Sequence, residues 1–285
     1  MRLLLIFCLI YFSTSISFAE ERFSNSDGMK NEKSLSEVLK WSWSREEPSK
    51  EFIKTNENIN LNSLKDREHY ALWIGHSTFL INNGDLTILT DPIFSERASP
   101  LNFAGPKRLI KPVIKIKDLP EVDVITISHN HYDHLDINSL RKLQKKFPNV
   151  KILVPEGDLK LLRNYNLNNG FEFLWWEEIT FDNTKFIFTP AQHWSARGLR
   201  DRNKSLWGSW FIKNEDKNIF HAGDTGYSDD FIEIRNRLGA VDFAMIPIGA
   251  YDPQWFMSYS HVNPEEAMNI AKDLDAKKSI GMHWG

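Results

Sequence analysis

A β-branched apolar run, Val122-Asp123-Val124-Ile125-Thr126-Ile127-Ser128, leads directly into His129-Asn130-His131-Tyr132-Asp133-His134, and a helical pattern follows at once. The run has the length and composition of a buried strand. Downstream, Asp136 can cap a helix whose Ile137, Leu140, Leu143 and Phe147 share one face, and Pro148 stops it. A buried strand, a polar loop and an amphipathic helix form the unit on which α/β proteins place their sites. Three imidazoles and a carboxylate within six residues are all groups able to bind a metal. His129 and His131 can converge on one ion while Asp133 and His134 turn toward a neighbour, so the spacing predicts two metal positions.

The chain of 285 residues is 41% hydrophobic and 26% charged, enough for one large domain with a substantial core. A net charge of −3 gives no reason to invoke nucleic acid. Met1 to Ala19 has the pattern of an export signal: Arg2, an apolar stretch from Leu3 to Phe12, and Ser17-Phe18-Ala19 as a small-x-small cleavage site. Its apolar stretch is too short to span a bilayer. A periplasmic or secreted protein is expected, with an uncleaved anchor as the competing reading. The only cysteine, Cys8, lies in this segment, so metal ligands in the mature chain must be His, Asp or Glu. Residues 20–69 are polar and poorly periodic, and read as a tether with an ordered stretch around Val38 to Trp43. Trp41 and Trp43 are expected to dock on the domain, which occupies residues 70–285.

Within that domain the pattern predicts strands at Ala71–Ile74, Thr78–Ile81, Leu86–Thr90, Lys151–Val154, Lys185–Thr189, Leu206–Ile212, Asn218–His221, Val241–Ile248 and Ser279–His283. Helices are predicted at Gly157–Tyr165 and Asp229–Leu238, the second closed by Gly239. Further candidate ligands fall at strand ends: His193, Asp224 and His283. Asp224 is the natural bridge, because one carboxylate can offer an oxygen to each of two ions. Two ions ~3.5–4 Å apart can hold a shared water as hydroxide and bind the oxygens of a tetrahedral phosphorus centre. Such a pair hydrolyses an ester or phosphodiester without a protein nucleophile. The donor types favour two zinc ions, with iron or manganese also compatible.

These residues resemble the metallo-β-lactamase superfamily, in the HxHxDH cluster followed by a lone His, a Gly-Asp and a final His. Longer strings are similar to the N-acylphosphatidylethanolamine-hydrolysing phospholipase D family: Thr90-Asp91-Pro92-Ile93-Phe94-Ser95, Gln192-His193-Trp194, Leu206-Trp207-Gly208-Ser209-Trp210, Ala222-Gly223-Asp224-Thr225-Gly226-Tyr227 and His261-Val262-Asn263-Pro264-Glu265-Glu266-Ala267. The resemblance implies an α/β fold, a four-layer αββα sandwich. It implies one zinc on His129, His131 and His193, and another on Asp133, His134 and His283, with Asp224 bridging. It also implies a phospholipid substrate, cleaved to phosphatidic acid and an N-acylethanolamine at a peripheral membrane surface, and a homodimer. Members of the family continue for some tens of residues past the final His-Trp-Gly, so C-terminal elements of the sandwich are expected to be missing. Asp133, Asp224 and His261 are the catalytic candidates. His261 precedes a helix start formed by Asn263, Pro264 and Glu266, and can meet a phosphate or protonate a leaving alkoxide. Other readings on the same metal pair are a lactonase or soluble phosphodiesterase, or a non-catalytic zinc- or lipid-binding remnant; an apolar groove beside the metals would favour lipid.

Asp91 can orient a metal-bound His or simply form an Asp-Pro turn. His76 follows a strand and Gly75 and so can approach the site, although a packed or exposed His is the favoured reading; His69 and His221 read as structural. Lys107, Arg108, Lys111, Lys115 and Lys117 form a solvated face or a patch for anionic head groups. Trp255, Phe256 and Met257 are core or a lip entering a bilayer.

Overall fold

The computed structural model describes residues 22–29, 33–44, 59, 64, 67–101 and 103–284. The export signal at 1–19 lies outside them. Two six-stranded sheets carry the fold. The first contains β1 (His69–Gly75), β2 (Thr78–Asn83), β3 (Thr87–Thr90), β4 (Val124–Thr126), β5 (Lys151–Pro155) and β6 (Gly170–Phe173), in that spatial order. The second contains β7 (Glu178–Phe181), β8 (Thr184–Thr189), β9 (Ser209–Lys213), β10 (Asn218–His221), β11 (Phe243–Pro247) and β12 (Ser279–Met282), also in sequential order.

Period-two alternation makes this a layered sandwich. Phe79, Ile81 and Ile88 pack with Phe186, Phe188 and Trp210 of the second sheet, while the intervening Leu80, Leu89 and Ile125 point the other way. There they meet Ile137, Leu140 and Leu143 of α2 (Ile137–Lys146), Phe147 just past its end, and Leu162 of α3 (Leu159–Asn164). On the far side, Phe231 and Ile234 of α4 (Asp230–Leu238) and Ala267 and Ile270 of α6 (Pro264–Asp273) pack on the second sheet. A short α5 (Gln254–Met257) lies between them in sequence. Each fully buried aromatic or aliphatic side chain contributes about 1.5–3 kcal/mol. Trp210 also donates its indole N–H to Ile127 O at 2.8 Å, tying the second sheet to the end of β4.

Local signals behave as their chemistry requires. Asp136 caps α2 through Asn138 N–H, and Asn263 and Glu266 form a reciprocal capping box on α6. β6 and β7 were not legible in the sequence; β6 has one buried residue, Phe173, and β7 has none. The predicted Gly157–Tyr165 helix is shorter at its start because Asp158 turns inward to accept from Asn130 instead of capping. Residues read as tether dock on the domain. α1 (Leu35–Ser44) stacks Trp41 on Phe256, with centroids 5.2 Å apart, whereas Trp43 is 94% exposed and does not dock.

Candidate metal centre

β1, β3, β4, β8, β10, β11 and β12 all end at one rim of the sandwich, because β3–β4 and β10–β11–β12 pair in parallel, while the antiparallel runs β1–β2–β3 and β8–β9–β10 return β1 and β8 to the same direction. Every predicted ligand follows one of these ends. The structure brings all seven together, with His261 and His76 beside them.

One group contains His129, His131 and His193. His131 Nδ1 lies 2.8 Å from His129 Nε2 and 3.3 Å from His193 Nε2. The other contains Asp133, His134, His283 and His76. Asp133 Oδ2 is 3.1 Å from His76 Nε2, 3.4 Å from His283 Nε2 and 3.7 Å from His134 Nε2. Between them sits buried Asp224, whose Oδ2 is 3.0 Å from His283 Nε2, 3.3 Å from His134 Nε2, 3.9 Å from His193 Nε2 and 4.0 Å from His129 Nε2. His261 Nδ1 approaches the same oxygen at 3.8 Å.

A shell of partners fixes these rings. Asp91 Oδ2 accepts from His134 Nδ1 at 2.7 Å and from Ser128 Oγ at 2.6 Å, and Asp91 Oδ1 accepts Ser128 N–H. Asp91 is therefore an orienting carboxylate as well as the start of the turn before Pro92. His193 Nδ1 donates to Ser260 O at 3.0 Å, which aims Nε2 at the cluster. Arg197 donates to Asn130 O and Leu135 O, both at 2.8 Å, and so ties the His193 loop to both ends of the His129–His134 loop. Gly223 takes φ +62°, and a Cβ there would stand 2.5 Å from Ser128 Cβ, so only glycine lets the Asp224 loop come this close. His221 donates to Ser77 O and stays structural.

Two contributors were missed by the sequence reading. His76 sits in the cluster at φ +53°, not in packing or solvent apart from it. Asn25, inside the supposed tether, is buried and grips the backbone of His193: its Oδ1 accepts His193 N–H at 3.0 Å and its Nδ2 donates to His193 O at 3.2 Å. Neither has a local signal, because each acts across a long sequence separation.

The donor set fits divalent ions. His134 Nε2, His283 Nε2 and Asp224 Oδ1 are buried without a hydrogen-bond partner, even where the ring nitrogens face a carboxylate oxygen. Leaving such atoms unpaired costs about 1–3 kcal/mol each, and a cation at their point of convergence removes that cost. Burial holds His129 and His193 well below the ordinary imidazole range and His131 at about 4, so all three are neutral. Loss of solvation opposes ionisation of Asp133 and Asp224, yet neighbouring imidazoles outweigh it and hold both well below the carboxylate range. Burial likewise opposes charge on His134 and His283, but Asp224 and Asp133 prevail, raising His134 well above its usual value and His283 to about 9. The site carries concentrated negative charge that protons balance when no metal does.

A family profile described as "Beta-lactamase superfamily domain" matches residues 87–284. The chain belongs to the beta-lactamase superfamily. Within this superfamily it is 42% identical over 226 residues to N-acyl-phosphatidylethanolamine-hydrolyzing phospholipase D 1 of Caenorhabditis elegans, covering 76% of this chain and 64% of that protein. It is 41% identical over 224 residues to the mitochondrial N-acyl-phosphatidylethanolamine-hydrolyzing phospholipase D of Saccharomyces cerevisiae, covering 76% of this chain and 47% of that one. The chain thus spans between about half and two thirds of the length of these relatives. Isothiocyanate hydrolase from Delia radicum gut bacteria superposes with a TM-score of 0.60 at 19% identity, over 75% of this chain and 84% of that one, so the two share a fold.

Proposed function

We propose that this protein is a metal-dependent hydrolase acting on a phospholipid diester of the N-acylphosphatidylethanolamine class, cleaved in the phospholipase D sense. The observation that carries the lipid assignment is a largely apolar groove of about 610 Å³ lined by Val38, Trp41, Trp194, Phe256 and Met257, with the cations Lys33 and Arg202 over its aromatic rings and His261 and Ser260 in its wall. Such a groove accommodates an acyl chain and delivers its polar end to the metal centre. The names of the two phospholipase D relatives support the same substrate.

His129, His131 and His193 would hold one ion, Asp133, His134 and His283 the other, and Asp224 would bridge them. Two zinc ions there supply Lewis acidity and an activated water; iron or manganese suits the same donors. His261 lies between groove and cluster, where burial lowers it to about 4 and keeps it neutral. An anionic phosphate placed beside it favours its protonated form, so it can pass a proton to the departing alkoxide.

The groove mouth also suits a bilayer surface. On α1, Leu35, Leu39 and Trp43 are exposed at i, i+4 and i+8, and Trp255 is exposed on the facing α5. An apolar ridge beside a lipid groove can enter the interface and admit substrate laterally.

The test is mass spectrometry of products after incubating the zinc-loaded chain with N-acylphosphatidylethanolamine in mixed micelles, beside Asp224→Asn and Phe256→Ser. Phosphatidic acid and N-acylethanolamine are expected from the parent and none from Asp224→Asn. Phe256→Ser should lose at least about tenfold on the long-chain lipid but keep turnover of a short soluble phosphodiester. Equal loss on both substrates, or no lipid product from the parent, would overturn the lipid assignment.

A further inference from the structure

The geometry points to His76 as a positioning residue for the second metal position, acting on Asp133 through its side chain and on His283 through its backbone. This inference rests on the two-metal reading above and adds to it a residue outside the expected ligand set.

Three observations carry it. First, the His76 imidazole forms an aligned hydrogen bond, Nε2 to Asp133 Oδ2 at 3.1 Å, whereas His134 Nε2 and His283 Nε2 face the same carboxylates without forming one. His134 and His283 thus turn their Nε2 atoms toward Asp224, where an ion can replace their protons, while His76 has committed its nitrogen to a ligand. A carboxylate oxygen has two acceptor directions, so Asp133 can take the His76 N–H on one side and an ion on the other. Second, His76 O accepts His283 N–H at 3.1 Å and the Trp73 indole N–H at 2.8 Å. The turn between β1 and β2 therefore clasps the end of β12 from the opposite sheet, and the tilted rings of His76 and His283 pack with centroids 4.3 Å apart. Third, His76 holds φ +53°, a left-handed conformation that costs a non-glycine residue on the order of 1 kcal/mol and persists only where surrounding contacts fix it.

A position served by Asp133, His134, His283 and the bridging Asp224 already has four protein donors. A fifth nitrogen adds little as a ligand, but rotation of Asp133 away from the ion would remove one of the four. The N–H from His76 opposes that rotation.

The experiment is zinc titration by calorimetry, with metal content measured by plasma mass spectrometry, on the parent, His76→Phe, His76→Gln and Asp133→Ala, and on Asp133→Ala combined with His76→Phe. Phe keeps a ring packed against His283 and removes the N–H; Gln restores a donor near the Nε2 position. The parent should bind two ions. His76→Phe should bind the first ion as the parent does and the second about 10–100-fold more weakly. His76→Gln should recover most of that loss, and His76→Phe should cost nothing further on the Asp133→Ala background. Thermal melts in chelator establish that each variant is folded; should His76→Phe not fold, His76→Ala compared with His76→Gln carries the same contrast. Second-ion affinity within twofold of the parent in the folded donorless variant, or an equal loss with and without Asp133, would overturn the assignment. A parent that binds fewer than two ions would overturn the two-metal reading itself, a result distinct from either.

Discussion

Replacing Asn25 by Ala tests whether the N-terminal segment belongs to the metal centre. Asn25 Oδ1 accepts His193 N–H at 3.0 Å and the Trp207 indole N–H at 2.9 Å, and Nδ2 donates to His193 O at 3.2 Å and Tyr259 Oη at 3.1 Å. Trp207 keeps a second acceptor, Ala191 O at 2.9 Å, and Tyr259 is only half-buried, so both have recourse. The backbone N–H and C=O of fully buried His193 lose these partners. At about 1–3 kcal/mol for each of the two orphaned buried groups, Asn25→Ala should cost roughly 2–6 kcal/mol. For a domain of this size that corresponds to about 5–15 °C in Tm. Urea unfolding in chelator measures the cost without a contribution from bound metal. Zinc affinity, measured separately, should fall about tenfold, because the frame that aims His193 has loosened. Trp43→Ser, at an almost fully exposed position of the same segment, should stay within about 0.5 kcal/mol. An Asn25→Ala midpoint as close to the parent as that of Trp43→Ser would refute the reasoning.

Asp158 offers a pH test away from the ligands. Burial pushes its carboxyl up to about 7, only partly offset by hydrogen bonds from Asn130 and Ser205. Against an unfolded value of about 3.9, the folded state binds this proton more tightly, so stability is lost as pH rises from about 4 through 7, by up to ~4 kcal/mol. Asp158→Asn mimics the neutral acid; its unfolding midpoint should vary less between pH 5 and 8 and exceed that of the parent at pH 8. A constant difference across that range would count against the burial argument. At the metal centre, His134 and His283 are raised, the latter to about 9, so at neutral pH metal must displace their protons. Calorimetry in buffers of different ionisation enthalpy should show about two protons released per pair of ions, and affinity should climb with pH until about 9. Binding that is independent of pH would contradict this charge balance.

The sequence by itself determined the parts that depend on neighbours along the chain. Period-two and helical patterning specify most of the strands and the principal helices, because the side-chain period decides which residues share a buried face. Asp136 and Asn263 announce their helices through capping chemistry that spans three residues. The His129–His134 cluster is legible for the same reason: its donors are close in sequence and sit just past a recognisable strand. His193, Asp224 and His283 could be nominated singly, since each follows a strand end.

Only the tertiary structure decided what those donors meet. The convergence on Asp224 requires both sheets to bring their carboxyl ends to one rim, a matter of strand order and pairing sense that no local pattern encodes. His76 looked ordinary because its partners, Asp133 and His283, lie far along the chain and on different sheets. Asn25 was lost in a polar segment whose composition resembles a tether, although its amide is matched to one buried backbone. Composition reports the average cost of burying a segment; a few hydrogen bonds to a prepared surface can reverse it at a single residue.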